Sequence, residues 1–264
     1  MIILENFSSS LIEILNLEKD FIISVSGSGG KTAFCKGLSL ELYKKYLSNK
    51  NISILFSTTT KIGDFSDNEF KKILFSLEEE IDISLFEKVE GLYLIGIKND
   101  RKISSLPLEI LENVVDKFSY IILEADGSRK KMIKAWNDTE PVYLSKTTIS
   151  IGIIPIKAIG MEINDLNIHR FEIFESKFNL KKKNKIDIEL MVEIITNKEG
   201  LFKNSIGKKI LFINQVETEE EFEYAKQLAN SIKENSVIEK VIIASLLDKK
   251  FYEYKKSSDN LWIF

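Results

Sequence analysis

The sequence predicts an α/β fold with a mainly parallel, doubly wound sheet, and three observations carry that expectation. Short apolar runs with the length and composition of buried strands recur along the 264 residues. Segments of helical apolar spacing stand between them, the alternation expected of parallel strands joined by crossover helices. One strand-to-helix junction carries a glycine-rich turn followed by Lys31-Thr32, where sheets of this kind bind ligands.

The elements follow in chain order. Residues 8–17 place Leu11, Ile12, Ile14, Leu15 and Leu17 at helical spacing behind serines, which predicts a short capped helix. Residues 21–25 read as a buried strand and 34–46 as a helix. Residues 51–56 give a second strand. Ser57-Thr58-Thr59-Thr60-Lys61 then stands either at a ligand-binding strand end or at a plain polar exit. Residues 67–77 predict a helix. Residues 91–106 predict two short strands joined at Asn99-Asp100. Residues 108–118 predict a helix started by Pro107, and 119–125 and 150–155 predict buried strands. A helix is expected over 168–178, around His169-Arg170, and a solvated basic loop over 181–185. Residues 186–196 and 219–233 predict helices, 208–213 and 241–244 strands, and 261–264 an edge strand. No repeat, low-complexity stretch or linker interrupts the pattern, so one nucleotide-binding α/β domain spanning 1–264 is expected.

Composition narrows the function classes. A hydrophobic content of 44% with 29% charged residues is ordinary for a globular chain. A net charge of -3 and a pI near 5.6 argue against general nucleic-acid affinity. Cys35 is the single cysteine and His169 the single histidine, so an internal disulfide, a thiolate cluster and a multi-histidine metal site are all excluded within one chain. The first twenty residues lack a basic leader, and no apolar run approaches the ~18 residues of a membrane span. A cytoplasmic protein without membrane partners is expected.

The chemistry centres on Gly27-Ser28-Gly29-Gly30-Lys31-Thr32, a short-form phosphate-binding loop of the pattern G-x-x-G-K-[ST]. The longer form fails because Val25 stands where it needs glycine. Small residues let backbone N–H groups turn around an anion, and the new helix adds its free N–H groups and dipole. Lys31 can reach the outer phosphates of ATP or GTP, and the Thr32 hydroxyl can ligate Mg²⁺. Glu124 and Asp126 end the most apolar strand. Their alternation puts both on one face, where either can support the metal. Arg129, Lys130 and Lys131 follow and can reach phosphate oxygens, with Arg129 or Arg170 a candidate for stabilising charge in transfer. Asn214-Gln215-Val216-Glu217 occupies the place where G-proteins read guanine, but with Gln for Lys and Glu for Asp. It reads as base recognition or as a simple strand exit, with guanine and adenine both open. Arg170 offers a planar fork of donors for an anionic group and His169 a hydrogen bond or a proton carrier. Residues 164–170 are therefore expected to line the same cleft as Lys31. The plainer alternative pairs Arg170 with Glu172 or Glu175 and packs His169 away.

At these residues the chain resembles the YqeC-type accessory proteins of selenium-dependent hydroxylases. The resemblance rests on the short loop, Thr58-Thr59-Thr60-Lys61, Glu124-Ala125-Asp126-Gly127-Ser128-Arg129, Glu140-Pro141-Val142, residues 164–170 and Asn214-Gln215. The family usually has Ala, Thr and Pro where Ser28, Ala33 and Phe171 stand here. The resemblance implies a P-loop NTPase-like protein that binds a nucleoside triphosphate with Mg²⁺ and assists maturation of a selenium- and molybdenum-dependent hydroxylase. Hydrolysis or phosphotransfer is one reading of its activity; a nucleotide-gated docking module is another. The short loop is also similar to that of Mur-type ATP-dependent ligases, but this chain has little room for their separate substrate domains.

Overall fold

Ile23 and Val25 are fully buried and alternate with the equally buried Ser24 and Ser26, so the strand that carries them is covered on both faces. The computed structural model describes residues 4–17, 21–47, 52–65, 68–76, 78–86, 90–180, 183–232 and 235–254. In chain order the strands are β1 (Leu4–Ser8), β2 (Phe21–Gly27), β3 (Ser53–Thr58), β4 (Lys61–Gly63), β5 (Lys71–Phe75), β6 (Gly91–Asn99) and β7 (Lys102–Ser104). They continue with β8 (Tyr120–Glu124), β9 (Ile133–Lys134), β10 (Ile149–Pro155), β11 (Ile168–His169), β12 (Lys208–Asn214), β13 (Lys240–Ser245) and β14 (Lys250–Tyr254). The helices are α1 (Leu11–Ile14), α2 (Lys31–Tyr46), α3 (Leu108–Val114), α4 (Phe171–Lys177), α5 (Ile188–Thr196) and α6 (Glu219–Ile232).

The main sheet runs β1-β14-β13-β12-β10-β2-β8-β3-β6-β7-β4, with β5 also on β6. Every pairing from β13 to β6 is parallel, as is β5 on β6. Antiparallel strands close both ends. Helices cover both faces. Phe34, Leu38 and Leu42 of α2 pack with Ile23, Ile122 and Phe212. On the other face Leu190 and Leu228, from α5 and α6, meet Leu211 and Ile213, while Leu111 and Val114 of α3 meet Ile121 and Leu123. Ile122 facing α2 while Ile121 and Leu123 face α3 is the period of two expected along a strand. The α/β class and the mostly parallel sheet thus hold.

Three stretches differ from expectation. Residues 71–75 form β5 where a helix over 67–77 was expected. The open side of β6 takes them in parallel register, Lys71 to Tyr93 through Phe75 to Ile97, and Phe75 is buried. That pairing outweighs a helical spacing too short to nucleate by itself. The helix expected over 168–178 is shorter: Ile168-His169 is β11, paired with β9, and Arg170 takes φ 59°, so α4 begins only after it. His169 and Arg170 therefore sit in the turn before a helix, not on it. The helix of residues 8–17 reduces to α1, whose N-terminal N–H groups are taken by Glu41 of α2. In the basic loop Lys183 pairs with Asp187 and Glu189, while residues 181 and 182 lie outside the described residues, as does the edge strand expected at 261–264.

Candidate functional site

The carboxyl ends of β2, β8, β3 and β10 meet at one edge, and the turn after β2 is built to leave backbone open there. Gly27, Gly29 and Gly30 take φ of 104°, 74° and 133°. A side chain at Gly27 would put its Cβ 2.1 Å from the Ile153 carbonyl oxygen, and one at Gly30 2.5 Å from Asn214 Nδ2, so both positions require glycine by conformation and by space. The turn is tied from behind. Ser28 N–H donates to Ile153 O at 3.0 Å and Ser28 Oγ to Met132 O at 2.7 Å. Asn214 Nδ2 donates to Gly29 O at 2.7 Å, while its Oδ1 accepts from Leu246 N–H. Helix α2 then starts at Lys31 with no side-chain cap. Its first N–H groups are left without an intrahelical partner, as at any helix start.

Lys31 and the two carboxylates share the face of β8 that Ile122 marks. Lys31 Nζ donates to Gly27 O at 2.7 Å and lies 3.3 Å from Asp126 Oδ1 and 3.6 Å from Glu124 Oε1. Burial opposes its charge, but Asp126 and Glu124 outweigh burial and hold the ammonium above its ordinary value. Thr32 Oγ1 donates to Glu124 Oε2 at 2.7 Å. Burial raises the Glu124 pKa, and Lys31 with the Thr32 hydroxyl offset it only in part. Asp126 is different. It accepts from Gly27 N–H at 3.0 Å and from Trp136 Nε1 at 2.6 Å, and it lies 3.0 Å from Lys134 Nζ. Burial works against this carboxylate too, yet Lys134, Lys31 and the Gly27 N–H hold it below the usual range. The charge chain continues through Lys134 to Glu140 at 3.1 Å and from Glu140 to Arg170 Nη1 at 2.7 Å. Alternating charges thus run unbroken from the glycine turn to Arg170.

Around these groups lies a cleft of ≈ 1450 Å³. Residues 29–33, 60–65, 127–132 and 168–171 line it, with Glu124, Glu140, Asp165 and Gln215. Among the residues singled out from sequence, Gly29, Gly30, Lys31, Thr32, Glu124, Arg129, His169, Arg170 and Gln215 therefore meet in one space. Arg170 finds Glu140 rather than Glu172 or Glu175. His169 is 9% exposed, and burial together with Arg170, Lys134 and Arg129 lowers its pKa to about 4. Its imidazole is neutral at pH 7. Asp126 and Asn214 stand behind the turn: each has its oxygens committed to it or to the interior, and neither lines the cleft. Among the described residues no group of three or more His, Cys, Asp and Glu side chains is arranged for a metal, and no helix is long and apolar enough to cross a membrane.

Sequence reasoning missed Lys134 and Trp136, the interior partners of Asp126. The signal was present in Met132-Ile133-Lys134-Ala135-Trp136, where a lysine interrupts an apolar run. A lysine at that position is either solvated or paired in the interior, and the Lys134 side chain is fully buried. It also missed Tyr143, whose hydroxyl donates to Ser26 Oγ beneath the turn.

No solved structure matches this chain. A curated relative, the uncharacterized protein YqeC of Escherichia coli (strain K12), is 23% identical over 214 residues, covering 79% of this chain and 81% of the relative. The family described as YqeC protein matches residues 23–172, from β2 through the glycine turn, both carboxylates and the Lys134–Glu140–Arg170 chain. That match takes in more than half of the sequence, and the chain belongs to the YqeC family.

Proposed function

We propose that this chain binds a nucleoside triphosphate with Mg²⁺ at the glycine turn, in the manner of P-loop proteins, and uses it to assist maturation of a selenium- and molybdenum-dependent hydroxylase. One observation carries the nucleotide reading. A turn held open by three positive-φ glycines delivers Lys31, Thr32 and uncapped helix N–H groups to the floor of a cleft, and Thr32 is hydrogen-bonded to Glu124. Backbone N–H groups and the positive end of α2 attract phosphate oxygens. In this reading Lys31 is held by Gly27 O and the two carboxylates until a phosphate offers it a better anion. Thr32 and Glu124 would hold the metal through hard oxygen ligands of the kind Mg²⁺ prefers. Mg²⁺ held there would supply charge neutralisation between phosphates. Asp126 fixes the turn through Gly27 N–H and holds Lys31 in reach. Gln215, at the cleft rim with an unbonded buried Oε1, is the candidate contact for the base, ATP or GTP. The hydroxylase role rests on family resemblance.

Thermal unfolding with ATP, GTP and their analogues, with and without Mg²⁺, tests the reading. A ligand of the native state raises the midpoint by mass action, so a Mg²⁺-dependent rise with one triphosphate is expected. No rise with any triphosphate at millimolar concentration would reject it. Hydrolysis or phosphotransfer is then measured with and without the partner hydroxylase. Turnover only with the partner, or none, would favour a nucleotide-gated docking module.

A further inference from the structure

The wall of the cleft formed by residues 127–132 and 165–171 carries more positive charge than its own carboxylates consume. Arg129 and Lys130 are exposed and make no hydrogen bond or ion pair among the described residues. Arg170 uses only Nη1, toward Glu140 Oε2 and the Ala135 carbonyl, which leaves Nε and Nη2 for another acceptor. The backbone beneath these cations is unusual. Eight non-glycine residues have positive φ among the described residues, and four of them, Arg129, Lys130, Arg170 and Gln215, line this one cleft. Left-handed backbone is disfavoured for such side chains, and it persists where the surroundings impose a geometry. Here it turns three cations toward one space. That space also has the length: it extends from the glycine turn to His169 and Phe171, and Lys31 reaches Arg170 only through Asp126, Lys134 and Glu140.

We propose that this wall is a second ligand site, in which Arg129, Lys130 and Arg170, beside His169, bind a small oxyanion next to the nucleotide. The proposal rests on the nucleotide reading only in calling the site second. The ligand carries a carboxylate or a phosphate group, since guanidinium forks and an ammonium match either. Arg170 then shares its fork between Glu140 and the ligand, and Glu140 is itself held by the buried Lys134.

His169 offers a direct readout because it is the single histidine. The groups facing it are Arg170, Lys134 and Arg129, which disfavour its proton, and Glu140, which favours it. An anion on the wall offsets the cations and moves the imidazole toward its ordinary pKa. The experiment follows the His169 Cε1 resonance by NMR through pH series, with inorganic phosphate in one arm and succinate in the other. The expected result is a saturable shift and a pKa rise of half a unit or more with at least one of them, and the stronger arm names the group. The double variant Arg129→Gln/Lys130→Gln removes both charges and keeps polar, unbranched side chains at both positions. It should weaken the anion at least tenfold and MgATP by a clearly smaller factor. No saturable shift with either anion overturns the proposal. So does a double variant that weakens MgATP as much as the anion, because those cations then serve the nucleotide. Should no triphosphate bind at all, the histidine titration still decides the oxyanion site, so the two failures are distinguishable.

Discussion

The two walls of the cleft solve opposite problems. At the glycine turn every charge is answered from within: Lys31 by Gly27 O, Asp126 and Glu124, and Asp126 by Lys134, Trp136 and the Gly27 N–H. At residues 127–131 and 170 the backbone is left-handed at three cations, two of them exposed and without a carboxylate partner among the described residues. The first wall is fixed by its own contacts. The second is anchored where Lys134 and Glu140 hold Arg170 and where Lys131 Nζ donates to the Asp165 and Ile168 carbonyls, while Arg129 and Lys130 stand outside those ties. Substitution at the first wall should therefore cost stability, and at the second, binding.

The largest expected effect is at Asp126. Asp126→Ala leaves Lys134 fully buried with Glu140 as its remaining acid and leaves Trp136 Nε1 without its acceptor. Removing one partner of a buried ion pair costs roughly 3–5 kcal/mol, and denaturant unfolding should show a loss of that size. A loss below about 1 kcal/mol would mean the turn is not held from the interior. Next is Thr32. Thr32→Val preserves shape but removes the hydroxyl that meets Glu124. Triphosphate affinity should become independent of Mg²⁺ while metal-free binding is retained. Persistent Mg²⁺ dependence would place the metal elsewhere.

His169 gives a pH signature of intermediate size. Its folded-state pKa of about 4 lies below the unfolded value near 6.5, so the unfolded chain binds the extra proton first. Its contribution to stability is therefore full above about pH 6.5 and is lost as pH falls toward 4. His169→Asn should flatten stability against pH across that window; an unchanged slope would show that the imidazole is not held neutral. The smallest effect is at the exposed wall. Arg129→Gln should change unfolding free energy by less than about 0.5 kcal/mol, because it removes no buried contact. A larger loss would erase the contrast between the walls.

How much of this was legible in sequence depends on how local each cause is. Gly27 to Thr32 announces itself because the turn needs glycine at fixed positions and the helix follows at once. The period of two also put Glu124 and Asp126 on one face, as found. It could not tell them apart. Glu124 faces the cleft, whereas Asp126 is sealed by Lys134 and Trp136 from a segment that turns back over it, a contact between stretches with no shared periodicity. The same limit produced the helix expected at 67–77. Its residues have a weak helical spacing, and the available side of β6 decides their fate. Strand β14 stayed unread because Lys250 to Tyr254 mixes charged and aromatic residues and gains its place by pairing with β13 and β1. Arg170 was read as a ligand-facing cation, but Glu140, which positions it, lies thirty residues earlier in a loop.

Binding of nucleoside triphosphate at the glycine turn, as proposed, depends on Lys31. Isothermal titration calorimetry of MgATP and MgGTP on the native chain and on Lys31→Ala, with circular dichroism confirming equal folding, tests it most directly. Saturable binding of at least one triphosphate to the native chain is expected, with an affinity at least tenfold weaker in Lys31→Ala, about 1.4 kcal/mol. Equal affinity in both proteins, or no heat from either triphosphate with the native chain, would contradict it.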